Sequence, residues 1–419
     1  MRGETGGAIL QAAMAEPGGA ASTPMITPRS SSGSPGRQGP ARVLSSVLGP
    51  LSAREFMRRF WQKEALLLRS ALPGFTGALD RADLFALALR EDVESRLVRR
   101  DGARWSVVRG PLTRSALRAL PARNWTLLVQ GVNLHVPDVD ALLRRFAFLP
   151  YARLDDVMVS YAAPGGGVGP HIDAYDVFLL QGFGRRRWRY GRQDERAFRP
   201  GLPLRILQRF APAHDAVLAP GDMLYLPPHH AHDGVALDAC TTYSIGFRAP
   251  SATELARAFL DFLHERLDVP GEYHDPDLVP TRDPARIDGR MQRRIERLLR
   301  GIHWTRDDIV AFVGAWLTEP KPTVFFEPPR APLTRARFVA RSKRVGVRLN
   351  ARSQVLYDDS RLFVNGEVLA RIADDGAVVE FANRRTLSPR HVASAKPHEL
   401  SLFYEWYRNG YLEFIERDR

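Results

Sequence analysis

Short strand-like runs separated by glycine and proline are the feature that most constrains the fold of this chain. Six such runs of three to six residues, rich in apolar and aromatic side chains, lie between residues 157 and 247. Many short strands with regular breaks are typical of a double-stranded β-helix, or jelly roll. Because helical periodicity occurs on both sides of them, we predict an α+β chain built around a jelly roll. The runs span residues 157–161, 177–181, 186–190, 216–218, 223–226 and 242–247.

Composition and periodicity divide the chain into four parts. Residues 1–42 are rich in Gly, Ala, Pro and Ser and are predicted to form a disordered tail, whereas residues 43–250 contain the predicted jelly roll and the elements that precede it. Residues 251–319 carry three amphipathic helical patterns. Residues 320–419 begin with a Pro-rich linker and continue with strands and an aromatic-rich helix, and Asn365-Gly366 predicts a hairpin turn between two of the strands.

The charge and the single cysteine narrow the class of protein. The formal net charge is +13 and the pI is near 10.3, which suggests a partner that carries phosphates. Arginine-rich composition also occurs in proteins that bind no nucleic acid. The lone Cys240 fits a reducing cytoplasm and is predicted to be a small buried hydrophobe. No apolar run approaches the roughly 18 residues that span a bilayer.

His171 and Asp173 are the first candidate functional residues. They end a glycine-rich stretch, GGGVGPHID, at residues 165–173. Side chains alternate along a strand, so an imidazole and a carboxylate two residues apart point the same way. Together with a second histidine, such a pair makes the 2-His-1-carboxylate triad that binds Fe(II) and leaves coordination positions open. A His-x-Asp triplet alone is common, so the prediction depends on the third ligand.

The sequence offers several histidines for the third ligand. His232 is favoured because it lies where the chain re-enters an apolar run. His229 and His230 directly follow two prolines and are expected on an exposed turn, yet they stay rivals. His214 is a weaker alternative.

A run of arginines between the two ligand segments supplies a candidate anchor for a co-substrate. In GRRRWRYGR, residues 184–192, period two separates Arg185, Arg187 and Arg189 from Arg186, Trp188 and Tyr190. A guanidinium held among aromatic rings can bind a carboxylate through two parallel hydrogen bonds, so Arg186 is predicted to bind the far carboxylate of a dicarboxylic co-substrate. The alternative is a strand whose arginines are all solvated or stacked on the rings.

Taken together, these motifs resemble those of the bacterial JmjC-type ribosomal oxygenases, which are cupin-fold arginyl hydroxylases. The resemblance rests on GGGVGPHIDAYDVF, GFGRRRW, LYLPP and YSIGFRAP within residues 150–250, and on FMRRFWQKEALLLR at residues 56–69. Carried over by position, it implies that His171, Asp173 and His232 bind Fe(II) and that Arg186 binds 2-oxoglutarate, with Ser244 as a further co-substrate contact.

The resemblance also implies an activity. The expected reaction is hydroxylation of an arginine β-carbon on a large-subunit ribosomal protein, the sixteenth, with Fe(II), 2-oxoglutarate and O2. Asp155, Asp156, Tyr161 and Tyr175 are candidates to receive the substrate guanidinium, and Met158 and Ser160 are expected either to line the pocket or to lie in the core. The alternatives are a related oxygenase with another target, such as a histidyl hydroxylase, and a non-catalytic cupin that binds RNA.

The two C-terminal parts carry expectations about assembly. Thr253 and Thr305 are predicted N-caps in the helical part, 251–319, whose three amphipathic helices are expected to pack on each other and on a second copy. The resemblance implies a homodimer through this segment, and a bundle within one chain is the alternative. The last part resembles the winged-helix module of the same family. No helix rich in lysine and arginine is apparent in this part, so its sequence fits a module that binds protein as well as one that binds nucleic acid.

Overall fold

The computed structural model describes residues 25–26, 47–371 and 375–415. Apart from the two-residue strand at Met25–Ile26, the tail predicted to be disordered, 1–42, lies outside the described residues. No described helix is long and apolar enough to cross a bilayer.

The first half of the chain forms thirteen of the described strands and four of the described helices. In chain order they are β1 (Met25–Ile26), α1 (Ala53–Arg59), β2 (Leu66–Leu68), α2 (Arg81–Ala88), β3 (Ser95–Asp101), β4 (Arg104–Arg109), α3 (Arg114–Arg118), β5 (Trp125–Val129), α4 (Pro137–Arg144), β6 (Leu154–Ala162), β7 (His171–Ile172), β8 (Val177–Gln181), β9 (Arg186–Arg192), β10 (His214–Leu218), β11 (Met223–Leu226), β12 (His230–Ala236) and β13 (Cys240–Phe247).

These strands form the predicted jelly roll. One sheet has nine strands in the order β1-β2-β11-β8-β13-β6-β5-β3-β4, and the other has four in the order β10-β9-β12-β7. Every neighbouring pair except β1 and β2 is antiparallel. The α+β jelly-roll prediction is therefore confirmed.

The nine-stranded sheet is covered on both faces at β8 and β11, which explains why these two strands are almost entirely apolar. Phe178 and Leu180 of β8 pack in the core that includes α1, α2 and α4, whereas Val177 and Leu179 pack in a second core with residues of β9 and β10. Side chains alternate along the strand, so each face of β8 serves one of the two cores. The buried free thiol of Cys240 lies in a small apolar cluster, as predicted.

The helical part comprises α5 (Ala252–His264), α6 (Gly289–Leu299) and α7 (Arg306–Thr318). Helix α7 begins at the predicted N-cap, Thr305. The N-cap of α5 is Ser251, because its side chain and that of Glu254 form a capping box, so the prediction of Thr253 is wrong. Helices α5 and α7 pack through aromatic rings, with Phe259 and Phe312 5.2 Å apart, but α6 buries none of its side chains.

The last part is a compact α/β module with its own core. Its elements are α8 (Arg335–Val345), β14 (Val347–Leu349), β15 (Val355–Tyr357), β16 (Arg361–Val364), β17 (Glu367–Ala370), α9 (Gly376–Arg384), β18 (Thr386–Leu387), α10 (Pro389–Ser394), α11 (Pro397–Arg408) and β19 (Leu412–Phe414). The hairpin predicted at Asn365-Gly366 is confirmed, since both residues have positive φ and join β16 to β17.

Helix α8 corrects one expectation about this module. It contains Arg335, Arg337, Arg341, Lys343 and Arg344 and no acidic residue, and all five basic side chains are exposed. The module therefore does carry a helix rich in arginine and lysine. The apolar positions of this helix are too few to give strong periodicity, so the sequence pattern alone does not indicate it.

Candidate active site

His171, Asp173 and His232 converge at one end of the four-stranded sheet. His171 lies on β7 and is paired directly with His232 on the neighbouring strand β12, while Asp173 follows the last residue of β7. The nearest carboxylate oxygen of Asp173 lies 3.9 Å from Nε2 of His171 and 3.6 Å from Nε2 of His232. One ligand atom from each residue lies within 4.8 Å of the other two, which is a separation that a single metal ion can bridge.

Both imidazoles are oriented by backbone carbonyl groups. Nδ1 of His171 lies 2.9 Å from the carbonyl oxygen of Gly169, and Nδ1 of His232 lies 3.0 Å from that of His230. A carbonyl oxygen can only accept, so each Nδ1 carries the proton and donates it. The lone pair is then on Nε2, the nitrogen that faces Asp173, which is the arrangement expected of histidines that bind a metal.

Burial keeps His232 in the neutral form that a metal needs. Its side chain is almost fully buried, and the loss of hydration together with the nearby His171 lowers the pKa of His232 to about 4. A neutral imidazole offers a lone pair at physiological pH without first releasing a proton. The donor set, two imidazoles and one carboxylate, fits Fe(II) with open coordination positions.

The rival histidines lie outside this cluster. His229 is exposed, with φ at +68°, and its backbone N–H donates to the carbonyl oxygen of Asp173. His230 is the first residue of β12, its Nδ1 lies 3.5 Å from the carbonyl oxygen of Pro228, and it is not part of the cluster. His214 packs its ring on Tyr190 at 5.1 Å. Of the described residues, only His171, Asp173 and His232 form a group with metal-ligand spacing.

Arg186 lies buried on the same face of the four-stranded sheet. Its guanidinium donates to the hydroxyl of Ser160 at 3.1 Å, to the hydroxyl of Thr242 at 3.3 Å and to the carbonyl oxygen of Gly234 at 3.2 Å. The Arg186 Cζ atom also lies 4.9 Å from the centre of the Trp188 ring. Neutral acceptors from both sheets therefore fix the guanidinium in place.

The charge of Arg186 has no counterion among the described residues. Its Nε has no hydrogen-bond partner there, and neither does Nε1 of the adjacent Trp188. Burial lowers the pKa of Arg186, although a guanidinium stays protonated in proteins. A buried cation with free donors is costly unless an anion pairs with it. This pair of donors therefore fits a carboxylate of a bound ligand.

The register of β12 sets the separation between the cation and the metal ligands. Arg186 is paired with Ala236, four residues from His232, which corresponds to about 13 Å along the strand. Gly234 lies midway, and a Cβ atom there would meet the Trp188 ring at 2.7 Å and Nε of Arg186 at 2.8 Å. Only glycine leaves the strand between the two groups open, which suits a short ligand with an acidic group at each end.

Ser160 and Thr242 are site residues that the sequence did not single out. Thr242 was not predicted, and Ser160 was considered only as a pocket-lining or core residue. Both face Arg186 because β6 and β13 are paired with Ser160 opposite Thr242. The predicted contact Ser244 lies two residues from Thr242 on the same face of β13, opposite Met158. Only the strand register could have identified Thr242.

Three of the four candidates for substrate recognition lie toward the triad end of the site. Asp156 is buried and accepts from Gln130, and Lys321 forms ion pairs with Asp156 and Asp155 at 3.1 and 3.0 Å. Tyr175 is two residues beyond Asp173, and its pKa is raised by burial and by the surrounding carboxylates. The fourth candidate, Tyr161, is wrong, since its ring stacks on Trp125 in the core on the helix-covered face.

Comparison with known proteins agrees with this geometry. A family model for the JmjC domain matches residues 141–255, and one for the ROXA-like winged helix matches residues 301–413. The chain is 36% identical over 280 residues to the ribosomal protein uL16 3-hydroxylase of Escherichia coli (strain K12), an alignment that covers 66% of this chain and 74% of that protein.

Two solved structures extend the similarity to the whole fold. The X-ray structure of E. coli ycfD matches with a TM-score of 0.76 and 31% identity, covering 87% of this chain and 98% of that one. The structure of YcfD, a ribosomal oxygenase from E. coli, in complex with cobalt and 2-oxoglutarate matches with a TM-score of 0.73, 31% identity and coverage of 88% and 99%. The chain therefore belongs to the JmjC-domain ribosomal oxygenases that carry a ROXA-like winged helix.

Proposed function

We propose that this chain is an Fe(II)- and 2-oxoglutarate-dependent hydroxylase of an arginine side chain on ribosomal protein uL16. The observation that carries the proposal is the pairing of a 2-His-1-carboxylate cluster with a buried guanidinium that has no counterion among the described residues. The cluster provides three ligands for iron, and the guanidinium provides a partner for a distal carboxylate. The name of the E. coli relative, a uL16 3-hydroxylase, supports the ribosomal-protein substrate.

The residues of the chain have separate tasks in this reaction. His171, Asp173 and His232 hold the iron, and the two Nδ1 donors keep both imidazoles aimed at it. Arg186 binds the distal carboxylate of 2-oxoglutarate, with Ser244 as a further contact beside it. Bound iron, 2-oxoglutarate and O2 together supply the oxidising power that hydroxylates a C–H bond and yields succinate and CO2. The apolar walls from Trp188 and Tyr190 exclude water from this end of the site.

Acidic groups at the triad end support a cationic substrate side chain. Burial and the negative charges of Asp173, Asp156 and Asp155 all raise the pKa of Tyr175, so Tyr175 lies between these carboxylates and the metal ligand Asp173 in electrostatic terms. Lys321 already forms ion pairs with the two aspartates. These carboxylates therefore accommodate a cationic side chain, as the guanidinium of the substrate would be. We propose Asp155, Asp156 and Tyr175 as the residues that receive the substrate arginine, on the β-carbon of which one oxygen is added.

Mass spectrometry of a uL16 peptide tests the proposal. Purified protein with Fe(II) and 2-oxoglutarate is expected to add 16 Da, about the mass of one oxygen, to one arginine and to form succinate, and His171→Ala abolishes both. Oxygen added to a histidine of another ribosomal protein would replace the substrate and favour a histidyl hydroxylase. No succinate with any ribosomal peptide, despite tight metal binding, would refute the enzyme and favour a non-catalytic cupin that binds RNA.

We further propose that the chain forms a homodimer through its helical part. Helix α6 and its flanks expose one apolar face, including Ile287, Met291, Ile295 and Leu299, of which Ile287 is 66% exposed. A row of exposed apolar side chains at helical spacing is typical of a subunit interface. A second copy fits best because a two-fold axis lets the same face cover itself.

Light scattering in solution tests the dimer. The wild-type protein is expected at twice the chain mass of 47.0 kDa, and Ile287→Asp with Ile295→Asp is expected to give the monomer. Wild-type protein that elutes as a monomer at micromolar concentration would refute the interface.

Action on a ribosomal protein also means, under this proposal, that the protein is found in the cytoplasm together with ribosomes and their RNA.

A further inference from the structure

We propose that the solvent face of helix α8 and the cleft beside it bind single-stranded RNA through its phosphates. This inference does not depend on the proposed hydroxylase activity, because the surface lies in the winged-helix module and in the cleft that separates it from the jelly roll. The partner is argued from the charge, the spacing and the surroundings of the basic side chains.

Three arginines form one stripe along α8. Arg337, Arg341 and Arg344 follow one another at spacings of four and three residues, which brings them to the same side of a helix over a length of about 10 Å. Phe338 and Ser342, roughly 100–140° round the helix from the stripe, are buried in the core of the module. The stripe therefore lies on the solvent-exposed side of the helix, with Arg341 at its edge against Phe414, and Lys343 extends it sideways.

The stripe lacks internal counterions. Arg341 stacks on the ring of Phe414 at 4.2 Å, and among the described residues no carboxylate forms an ion pair with Arg337, Arg341, Lys343 or Arg344. By contrast, the arginines on the exposed face of β9 are each matched with an aspartate. An unmatched row of cations is available for an external anion.

Helix electrostatics explain only part of this charge. Basic residues in the last turn, Lys343 and Arg344, interact favourably with the negative end of the helix dipole. Arg335 and Arg337 lie in the first turn, after the N-cap Thr334, where the dipole disfavours cations. The helix dipole therefore does not account for the arginines of the first turn, which favours a role of the stripe in binding an external anion.

A cleft continues the basic surface. A cavity of about 640 Å³ between the winged-helix module and the jelly roll is lined by four arginines. Three of them form ion pairs with Asp92, Glu327 or Glu413, and Arg341 of the stripe is the lining arginine without an ion pair among the described residues. Arg352, which lines this cleft, donates to the carbonyl oxygen of Phe325, and the Phe325 side chain is 67% exposed. The four arginines are Arg90, Arg341, Arg348 and Arg352.

The surroundings favour RNA over protein or membrane as the partner. Protein interfaces need a cluster of apolar anchors, and membrane-binding helices expose an apolar face, but the exposed residues of α8 other than its basic ones are mainly alanines. An exposed aromatic ring beside a row of cations is typical of single-strand binding, in which the ring stacks on a base and the cations contact the backbone.

Fluorescence anisotropy with a labelled, unstructured 16-nucleotide RNA tests the proposal on the full-length protein. The combination of Arg337→Gln, Arg341→Gln and Arg344→Gln is expected to weaken binding about 30-fold and to reduce the slope of log affinity against log salt by about 2. The matched control, Arg58→Gln with Arg114→Gln and Arg123→Gln, removes the same charge from exposed sites on the jelly-roll part and is expected to bind within threefold of wild type.

A second variant and a second readout keep the test decisive. Should the loss of the Arg341–Phe414 contact unfold the triple variant, Arg337→Gln with Arg344→Gln retains that contact and is expected to weaken binding about tenfold. Phe325→Ala is expected to weaken single-strand binding about tenfold and duplex binding far less.

Three outcomes would overturn the proposal. They are equal affinity of the stripe variant and the control, an unchanged salt slope, and displacement of RNA by a poly-glutamate peptide or anionic vesicles at equal charge concentration. Succinate formation on a free peptide is expected to be unchanged in the stripe variant. Loss of RNA binding and failure of the hydroxylase proposal are therefore observed separately.

Discussion

The two faces of strand β9 place the same residue type in opposite environments. Arg187 and Arg189 point outward, are about half exposed, and pair with Asp215 and Asp233. Arg186 points inward, is almost fully buried, and has only neutral acceptors among the described residues. The outward arginines have their charge balanced within the chain, whereas the inward arginine lacks a described partner for its charge.

This difference shows how a functional cation can be recognised. A surface ion pair contributes little to stability and is easily replaced, so its presence says little about function. A buried cation without an anion destabilises the free protein, so a ligand that supplies the missing charge binds favourably at such a position when the position opens on a site. A similar contrast is seen at the start of β12, where His232 is buried and points inward and His229 lies exposed on the turn before the strand.

The largest effect is expected from the inner face of β12. His232→Ala removes one of three metal ligands and is expected to weaken Co(II) binding by at least 100-fold, as measured by isothermal titration calorimetry. His229→Asn and His230→Gln serve as controls, and asparagine tolerates the positive φ at residue 229. A control variant that loses metal binding as severely as His232→Ala would break the contrast between the two sets of histidines.

A smaller but still large effect is expected from Arg186→Met. The affinity for 2-oxoglutarate should fall by about 2 kcal/mol or more, roughly 30-fold, because a buried charge pair is lost. The midpoint of thermal unfolding without ligand should stay the same or rise, since an uncompensated charge is removed from the interior. Calorimetric titration and circular dichroism measure the two effects.

Arg187→Gln is the matched control on the outer face of the same strand. The substitution removes one positive charge at the position next to Arg186 in the sequence. It should leave the affinity for 2-oxoglutarate within twofold of wild type. Equal affinities of the Arg186 and Arg187 variants would show that the inward guanidinium does not bind the co-substrate.

An intermediate effect is expected from Gly234→Ala. The added Cβ meets the Trp188 ring and Nε of Arg186, so one of them must shift. We expect about tenfold weaker 2-oxoglutarate binding and a loss of about 1–3 kcal/mol in the free energy of unfolding. Gly376→Ala, where no atom of the described residues lies within 4 Å of the added Cβ, is the control and should leave the affinity for 2-oxoglutarate unchanged and the protein no less stable. Wild-type co-substrate affinity in Gly234→Ala would mean that the packing around Arg186 is looser than these contacts indicate.

The smallest effect is expected from the outward ion pair and depends on pH. Hydrogen bonding to Arg187 lowers the pKa of Asp215 below its usual value of 3.8. Because the pKa of this carboxyl is lower in the folded than in the unfolded protein, the ionised carboxylate stabilises the folded protein fully at pH values above the unfolded-state pKa. This stabilisation is lost as the pH falls through the folded-state pKa. Asp215→Asn should therefore lower the urea midpoint slightly at pH 7 and by less at pH 2.5. A deficit of the same size at both pH values would exclude the ion pair as its cause.

Much of the fold was predictable because local signals and global architecture agree. The six short runs became strands of the jelly roll, and Asn365-Gly366 formed its hairpin turn since both residues adopt positive φ readily. The N-cap of α5 was misassigned because Ser251 and Thr253 are both good caps, and the choice depends on which one can form a capping box with Glu254.

The sequence by itself determined the residue types and the period of the site. Alternation along β9 separated Arg186 from Arg187, and the His-x-Asp spacing marked one half of the metal cluster. Both depend only on strand geometry, which is a property of the local backbone.

Only the tertiary structure decided which groups meet across strands. The choice of His232 over its neighbours follows from its pairing with His171, and the role of Thr242 follows from the pairing of β13 with β6. The rejection of Tyr161 follows from the side of the sheet it faces. Register, burial and the absence of a counterion among the described residues arise from contacts between segments far apart in the chain, and no local pattern encodes them.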